Sequence, residues 1–108
     1  MTQDAIGPVF AALADPTRRF ILEQLTREGT TSVPALTAAL PITRQAVAKH
    51  LAMLDDAGLV ERADAAGREV RYALRPGALG DAAGWMRATE AAWDGRLDRL
   101  KRTVEARR

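Results

Sequence analysis

Apolar residues at helical spacing fill the first half of the chain. Four of them follow i, i+3, i+4, i+7 spacing near the N-terminus and predict a short amphipathic helix. These are Ile6, Val9, Phe10 and Leu13. The pair Asp15-Pro16 predicts a fresh helix start, because Asp accepts hydrogen bonds from a helix N-terminus and Pro is tolerated in the first turn. The pattern of this second helix ends near Gly29.

Two further helices are separated by a tight turn. Ser32 is a candidate N-cap for a short third helix, and Pro41 ends that helix. Thr43 is the candidate cap of a fourth helix, which runs to a left-handed stop at Gly58. The apolar face of the fourth helix comprises Val47, Leu51 and Leu54.

The periodicity then changes from helical to alternating. Apolar and polar residues alternate around Val60–Arg62 and Val70–Leu74, on either side of a glycine-containing turn at Asp64–Gly67. This pattern predicts a two-stranded hairpin. A long last helix is predicted over about residues 78–106, where apolar residues recur at spacings of three and four.

This order of elements defines a fold class. It is α-α-α-α-β-β-α, a mainly α chain with a small β-hairpin. A short helix, a tight turn and a second helix make a helix-turn-helix, and a hairpin directly after it adds a wing. We expect a single winged helix-turn-helix domain over residues 1–108, with the helix-turn-helix at about 32–57 and the wing at about 60–74.

Composition removes several classes of function. The chain has 108 residues, of which 47% are apolar and 28% charged, and this suits one small globular domain. It has no cysteine, one histidine and no glycine-rich phosphate loop, so no nucleophile–base pair or cofactor cradle can be assembled. We therefore expect no enzyme, no cofactor and no metal. No apolar run approaches the ~20 residues of a membrane helix, and no export signal is visible, so we expect a cytoplasmic protein.

The net charge of +2 is small, but the charges are unevenly distributed. No Asp or Glu occurs from Gly29 to Leu54, while Arg44, Lys49 and His50 lie inside that window. An acid-free surface is what a phosphate backbone requires. Cations in a mostly apolar stretch are equally consistent with ordinary solubilising charges, so charge alone leaves both interpretations open.

The fourth helix carries the candidate DNA-reading residues. The second helix of a helix-turn-helix enters the major groove and reads base edges near its N-terminal end. With the apolar face inward, the outward residues of its first two turns are Arg44, Gln45, Ala48 and Lys49. Arg and Lys pair with guanine, Gln pairs with adenine, and Ala48 offers a methyl contact. Thr43 can donate to a phosphate, and Arg44 can contact a phosphate instead of a base.

Three further side chains have two open interpretations each. His50 borders the apolar face and is either a half-buried packing residue or a phosphate contact; as a lone histidine it lacks partners for a metal. Arg68 lies at the hairpin turn, and Arg71 lies on the polar face of the second strand. A wing arginine can reach the DNA backbone or the minor groove, and the alternative is a solvated turn.

The terminal helices predict self-association. The apolar stripe of the last helix is wider than one small core can use, and Trp85 and Trp93 are large apolar groups late in the chain. We expect a homodimer; the alternative is that the last helix packs back on its own domain. The predicted interface comprises Ile6, Val9, Phe10, Met86, Trp93, Leu97 and Leu100. Two copies place two recognition helices about 34 Å apart and so read an inverted repeat.

Several stretches between about residues 9 and 102 together form a recognisable set of motifs. Two of them are Phe10-Ala-Ala-Leu-Ala-Asp-Pro-Thr-Arg-Arg19 and Thr43-Arg-Gln-Ala-Val-Ala-Lys-His-Leu51. The first resembles the opening signature of ArsR-type (ArsR/SmtB-like) repressors, and the second resembles the recognition helix of that family. Gly67-Arg-Glu-Val-Arg-Tyr72 looks like the return strand of its wing, and the run from Trp93 to Lys101 looks like a cysteine-free branch. The resemblance implies a homodimer that blocks transcription by occupying operator DNA, with residues 44, 45, 48 and 49 at the base-facing positions.

Two departures from the family pattern matter. Position 48 is often serine in the family, whereas Ala48 cannot donate a hydrogen bond. Metal-responsive members carry cysteines on the first helix of the helix-turn-helix, or carboxylates and histidines on the last helix. This chain has no cysteine, and its last helix has carboxylates but no histidine, a poor set for a transition metal. We expect no metal response, and the sequence identifies no small-molecule effector.

A winged helix used only for protein–protein contact is the alternative function. Such a module needs no acid-free face with Gln and Lys, and it would show no salt-dependent affinity for DNA.

Overall fold

The computed structural model describes residues 3–63 and 67–107, which form five helices and three strands. In chain order these are α1 (Gln3–Leu13), α2 (Pro16–Glu28), β1 (Thr30–Thr31), α3 (Val33–Ala39), α4 (Arg44–Asp56), β2 (Val60–Ala63), β3 (Arg71–Leu74) and α5 (Gly80–Ala106). Helices dominate and the strands form one small sheet, which confirms the predicted fold class.

Side-chain caps start three of the helices at the residues that the sequence predicts. The carboxylate of Asp15 accepts a hydrogen bond from the backbone N–H of Arg18 at 2.9 Å and begins α2. Ser32 and Thr43 do the same for α3 and α4, with their hydroxyl oxygens 3.2 and 3.1 Å from the N–H three residues on. After α4, Gly58 has a φ of 77°, the left-handed backbone that favours glycine at the end of a helix. These caps fix where the helix-turn-helix begins, turns and ends.

A three-stranded antiparallel sheet replaces the predicted two-stranded hairpin. β3 lies in the middle, with β2 on one side and β1 on the other. Val60 of β2 pairs with Leu74 of β3, and Thr30 of β1 pairs with Ala73. A strand of two residues shows no alternation, so the sequence pattern could not reveal β1.

The hairpin turn is described only in part. Residues 64–66 of the predicted turn lie outside the described residues, and Gly67 has a φ of 88°. Val70, at the start of the predicted alternating stretch, precedes β3 and is 44% exposed.

One apolar core joins α2, α3, α4 and the start of β2. Its most deeply buried side chains are Ile21, Leu25, Leu36, Val47, Leu51, Leu54, Leu59 and Val60. α1 adds Ile6 and Val9, whereas α5 adds only Ala82. Burial of an aliphatic side chain contributes roughly 1.5–3 kcal/mol, so this core determines which face of α4 points inward.

α5 leaves the core after its first turns. Its 27 residues make it the longest helix described, and a rise of 1.5 Å per residue gives a length of about 40 Å. An edge-to-face contact between Phe10 and Trp85, with ring centroids 5.6 Å apart, packs α1 against α5. From residue 85 to residue 106 α5 contains no buried side chain. Within the described ranges, no helix combines the length and the apolar character that a membrane span needs.

The surroundings of Asp15 favour its ionised form. The hydrogen bond from the backbone N–H of Arg18 lowers the pKa of the Asp15 carboxyl, and the nearby charges of Arg18 and of protonated His50 lower it further. Desolvation acts in the opposite direction and is outweighed. The ionised cap therefore stabilises the folded state more than a protonated one does.

We predict that the stability gained from the Asp15 carboxylate depends on pH. Because the pKa is lowered on folding, the gain is complete above the unfolded pKa and is lost as the pH falls through the lower folded pKa. Asp15→Asn keeps a neutral acceptor at the cap but cannot titrate. The difference in free energy of unfolding between wild type and Asp15→Asn, measured by urea denaturation, should shrink as the pH falls below about pH 4.

Asp15→Ala is the matched control, since it removes the acceptor at every pH and should be less stable than Asp15→Asn throughout. A difference between wild type and Asp15→Asn that stays constant from pH 7 to the acid limit would contradict the account of this cap.

Candidate nucleic-acid interface

α4 buries one face and presents the other. The three apolar residues predicted to face inward are each at most 1% exposed; they are Val47, Leu51 and Leu54. The four residues predicted to face outward are all exposed; they are Arg44, Gln45, Ala48 and Lys49. Thr43 is exposed as well, and its oxygen accepts from the N–H of Ala46 at 3.1 Å, which leaves the hydroxyl hydrogen able to donate. The structure therefore gathers these five side chains at the N-terminal end of one helix.

The charges along α4 run against the order that stabilises a helix. The backbone dipole is positive at the N-terminus, so acidic residues are favourable in the first turn and basic residues in the last. α4 has Arg44 and no acid in its first turn, and Asp55 and Asp56 in its last. The dipole and the arginine therefore add positive potential at the same end, where an external anion would be favourable.

His50 lies beside this surface, against the start of α2. Its Nδ1 atom is 3.5 Å from Nη1 of Arg18 and 3.9 Å from a carboxylate oxygen of Asp15. The side chain is 21% exposed. This geometry fits the packing interpretation of His50, with the Nε2 atom left for any contact with a phosphate.

The two wing arginines differ in solvent exposure. Arg68 is exposed. Arg71 is half-buried: its Nε donates to the hydroxyl of Thr30 at 2.9 Å, and its Nη1 donates to Glu69 at 3.0 Å. The side chain of Arg71 therefore makes contacts within the chain, and its bond to Thr30 ties β1 to β3.

The predicted dimer residues separate into three groups. Ile6 and Val9 are 8% and 2% exposed and belong to the core of this chain, so they are unavailable to a partner. Phe10 is half-buried against Trp85. The remaining predicted residues lie exposed along α5; these are Met86 (46%), Trp93 (67%), Leu97 (59%) and Leu100 (60%), and Val104 (50%) continues the stripe. The amphipathic spacing of α1 predicted its apolar face correctly but could not tell a core from an interface.

Sequence reasoning missed Arg18, whose side chain reaches both α1 and α4. Its contacts on α4 lie 32 and 35 residues away along the chain. Nothing in the local pattern distinguishes it from Arg19, because both follow the same helix start. As for metals, the described residues contain no group of three or more His, Cys, Asp or Glu side chains that could hold an ion.

Comparison with known proteins places this arrangement in a family. A helix-turn-helix domain model matches residues 13–63, the stretch from the last residue of α1 through β2. The chain is 43% identical over 84 residues to the transcriptional regulator CmtR of Mycobacterium tuberculosis, covering 78% of this chain and 70% of CmtR. It is also 48% identical over 58 residues to the regulator YuzN of Bacillus subtilis, a match that spans 48% of this chain and less than two thirds, 63%, of YuzN.

Solved structures agree with these relatives. An ArsR-like transcriptional regulator from Rhodococcus superposes with a TM-score of 0.81 at 41% identity, covering 93% of this chain and 92% of the other. The cadmium metal-sensor CmtR from M. tuberculosis superposes with a TM-score of 0.55 at 41% identity, covering 72% and 79% of the two chains. The residues that the helix-turn-helix model matches include the whole of α4 and its cap. Regulators of this kind are not enzymes. The chain belongs to the ArsR family of DNA-binding, helix-turn-helix transcriptional regulators.

Proposed function

We propose that this protein is a homodimeric repressor that reads an inverted-repeat operator through the outward face of α4. The observation that carries the proposal is the N-terminal end of α4, where exposed Arg44, Gln45, Ala48 and Lys49 surround a capped helix start that has no acidic residue. Occupation of a promoter by such a dimer would block transcription, and we expect it to act in the cytoplasm, beside the DNA.

Each residue of this face has a chemical role in the proposal. Gln45 can pair bidentately with adenine, and Lys49 can donate to guanine O6 and N7. Thr43 and Arg44, at the positive end of the helix, suit the phosphates beside the groove. Ala48, between Gln45 and Lys49, has no polar side-chain group. It therefore allows the helix to approach the bases closely without leaving an unpaired donor.

The exposed stripe of α5 supports the homodimer. A helix that is apolar along one face is stable in water when that face is covered, and from Trp93 to Val104 this face has no partner within the described chain. A second copy offers an identical stripe, which suits a two-fold interface in which the same patch packs on itself. Two-fold symmetry in the protein matches an inverted repeat in the DNA.

We also propose that metal ions do not release this protein from DNA, unlike the cadmium sensor CmtR to which it is similar. Cadmium is a soft ion that favours thiolate ligands, and this chain has no cysteine. Its one histidine is held against Arg18 and Asp15.

Fluorescence anisotropy tests the function. A labelled duplex from upstream of the protein's own gene should bind more tightly than a scrambled duplex, and affinity for both should fall steeply as salt rises. Gln45→Ala and Lys49→Ala should each lose about 1–3 kcal/mol of discrimination between the two duplexes. Lys101→Ala is the matched control: it removes an exposed cation from α5 and should keep the discrimination.

Equal loss on both duplexes would show that Gln45 and Lys49 do not read bases. Equal, weak and salt-independent binding of both duplexes by the wild type would favour the protein-contact alternative instead.

Trp93→Asp should convert the dimer into monomers, because an unpaired charge in a buried interface is costly. Ala91→Asp is the matched control, since it adds the same charge two residues earlier, on the opposite side of the helix, where the residue is also exposed. Light scattering at equal protein concentration measures both masses. A Trp93→Asp protein that keeps the mass of a dimer would show that the interface lies elsewhere.

A further inference from the structure

The guanidinium of Arg18 joins three helices at one point. From α2 it donates through Nε to the carbonyl of Ala12 at 3.0 Å and through Nη2 to the carbonyl of Ala11 at 3.1 Å. Its remaining nitrogen, Nη1, donates to the sulfur of Met53 at 3.4 Å and lies 3.5 Å from Nδ1 of His50. The first two contacts fall on the last turn of α1 and the other two fall on α4.

These contacts restrict the axial position and the exact rotation of α4 more tightly than its apolar packing does alone. The buried face of α4 consists of aliphatic side chains, whose burial is favourable but not directional. The guanidinium is a rigid planar fork, so its hydrogen bonds constrain both distance and angle. His50 and Met53 are three residues apart and therefore neighbours on one side of α4, and His50 directly follows Lys49. A shift of α4 along its axis, or a rotation about it, would break the contact with Arg18.

The other end of this connection leads towards α5. Ile6, Val9 and Ala82 lie in the same core, and Phe10 packs edge-to-face on Trp85. α1 is therefore seated on the first turns of α5, whose exposed stripe is the proposed dimer interface. Arg18 holds the last turn of that same α1.

We propose that Arg18 is a positioning residue that fixes the recognition helix relative to the dimer-forming part of the protein, and so sets the half-site spacing that the dimer accepts. This inference rests on the proposed function. In a two-fold dimer the separation of the two α4 helices depends on how each is attached to the shared interface. Loosening that attachment lets each α4 adjust to its half-site separately, at the expense of affinity for the preferred spacing.

Arg19 provides a matched control. It also donates to a carbonyl in the last turn of α1, that of Leu13 at 2.7 Å, and it is exposed. Among the described residues it makes no hydrogen bond to α4. Substitution of Arg19 therefore removes a cation and a contact with α1, while the connection to α4 remains.

The experiment measures anisotropy on the shortest upstream duplex that keeps full affinity, and on versions with one or two base pairs added or removed between the half-sites. Wild type should bind the altered spacings more weakly than the natural one. Arg18→Gln should lose about tenfold in affinity for the natural spacing and much less for the altered ones. The difference in affinity between natural and altered spacings should therefore become smaller. Arg19→Gln should keep the preference of the wild type.

Two further variants separate geometry from charge and from folding. Arg18→Lys keeps the charge, but one ammonium group cannot contact two carbonyls and α4 together. The difference in affinity between natural and altered spacings should therefore become smaller in this variant as well. Met53→Ala removes one α4 contact at a side chain that is 41% exposed, so it should fold normally and shift the preference in the same direction by a smaller amount. Met53→Ala carries the test if Arg18→Gln does not fold, as judged by circular dichroism.

The outcomes distinguish this inference from the proposed function. Equal weakening of Arg18→Gln on all spacings, or full recovery by Arg18→Lys, would overturn the positioning role and leave the DNA-binding function intact. The positioning role would also be overturned, with the DNA-binding function intact, if the wild type prefers its upstream duplex but binds all half-site spacings equally well. A wild type that does not distinguish the upstream duplex from a scrambled one would overturn the proposed function, and the positioning role with it.

Discussion

Burial of the apolar face of α4 determines where its polar face lies on the protein surface. Val47, Leu51 and Leu54 are fully enclosed by the core that α2 and α3 complete. A rotation of α4 by one residue, about 100°, would expose this face and bury Ala48 and Asp55 in its place. Since each buried aliphatic side chain contributes roughly 1.5–3 kcal/mol, the outward direction of the polar face is a consequence of the inward packing. Core packing alone therefore holds the polar face of α4 in its outward position when no ligand is bound.

That surface departs from the local rules that favour a stable helix. Arg44 stands at the positive end of the dipole and Asp55 and Asp56 at the negative end, each an unfavourable place for its charge. Departures of this kind concentrate at functional sites, where a ligand compensates for them. In the function proposed above, the compensating ligand is an anion at the N-terminus of α4, and the phosphates of a DNA backbone would meet this requirement. The burial of Val47, Leu51 and Leu54 offsets the unfavourable charge order in the free protein.

Much of this arrangement could be predicted from the sequence, because it is encoded locally. The caps at Asp15, Ser32 and Thr43 and the glycine at position 58 identify helix ends by residue type, and periodicity identifies the inner face of α4. Features that depend on tertiary contacts could not be predicted from the sequence. β1 is too short to show a pattern, and its Thr30 hydroxyl holds Arg71, which sequence reasoning had placed on an open polar face.

The same limit separates core from interface. Ile6 and Trp93 are both apolar residues on amphipathic helices, and only the structure shows that the first is enclosed by its own chain while the second is 67% exposed. Arg18 was missed for a related reason, since its contacts on α4 are more than thirty residues away along the chain. Helical periodicity reveals that a face is apolar, and the three-dimensional packing decides what covers it.

We propose that the N-terminal half of α4 is the surface that binds DNA. Amide chemical shifts of the isotope-labelled protein, followed while the upstream duplex is added, test this proposal. We expect the largest changes on residues 43–50 and around Arg68, and little change in the C-terminal half of α5. Changes confined to α5, with residues 43–50 unaffected at saturating DNA, would contradict it.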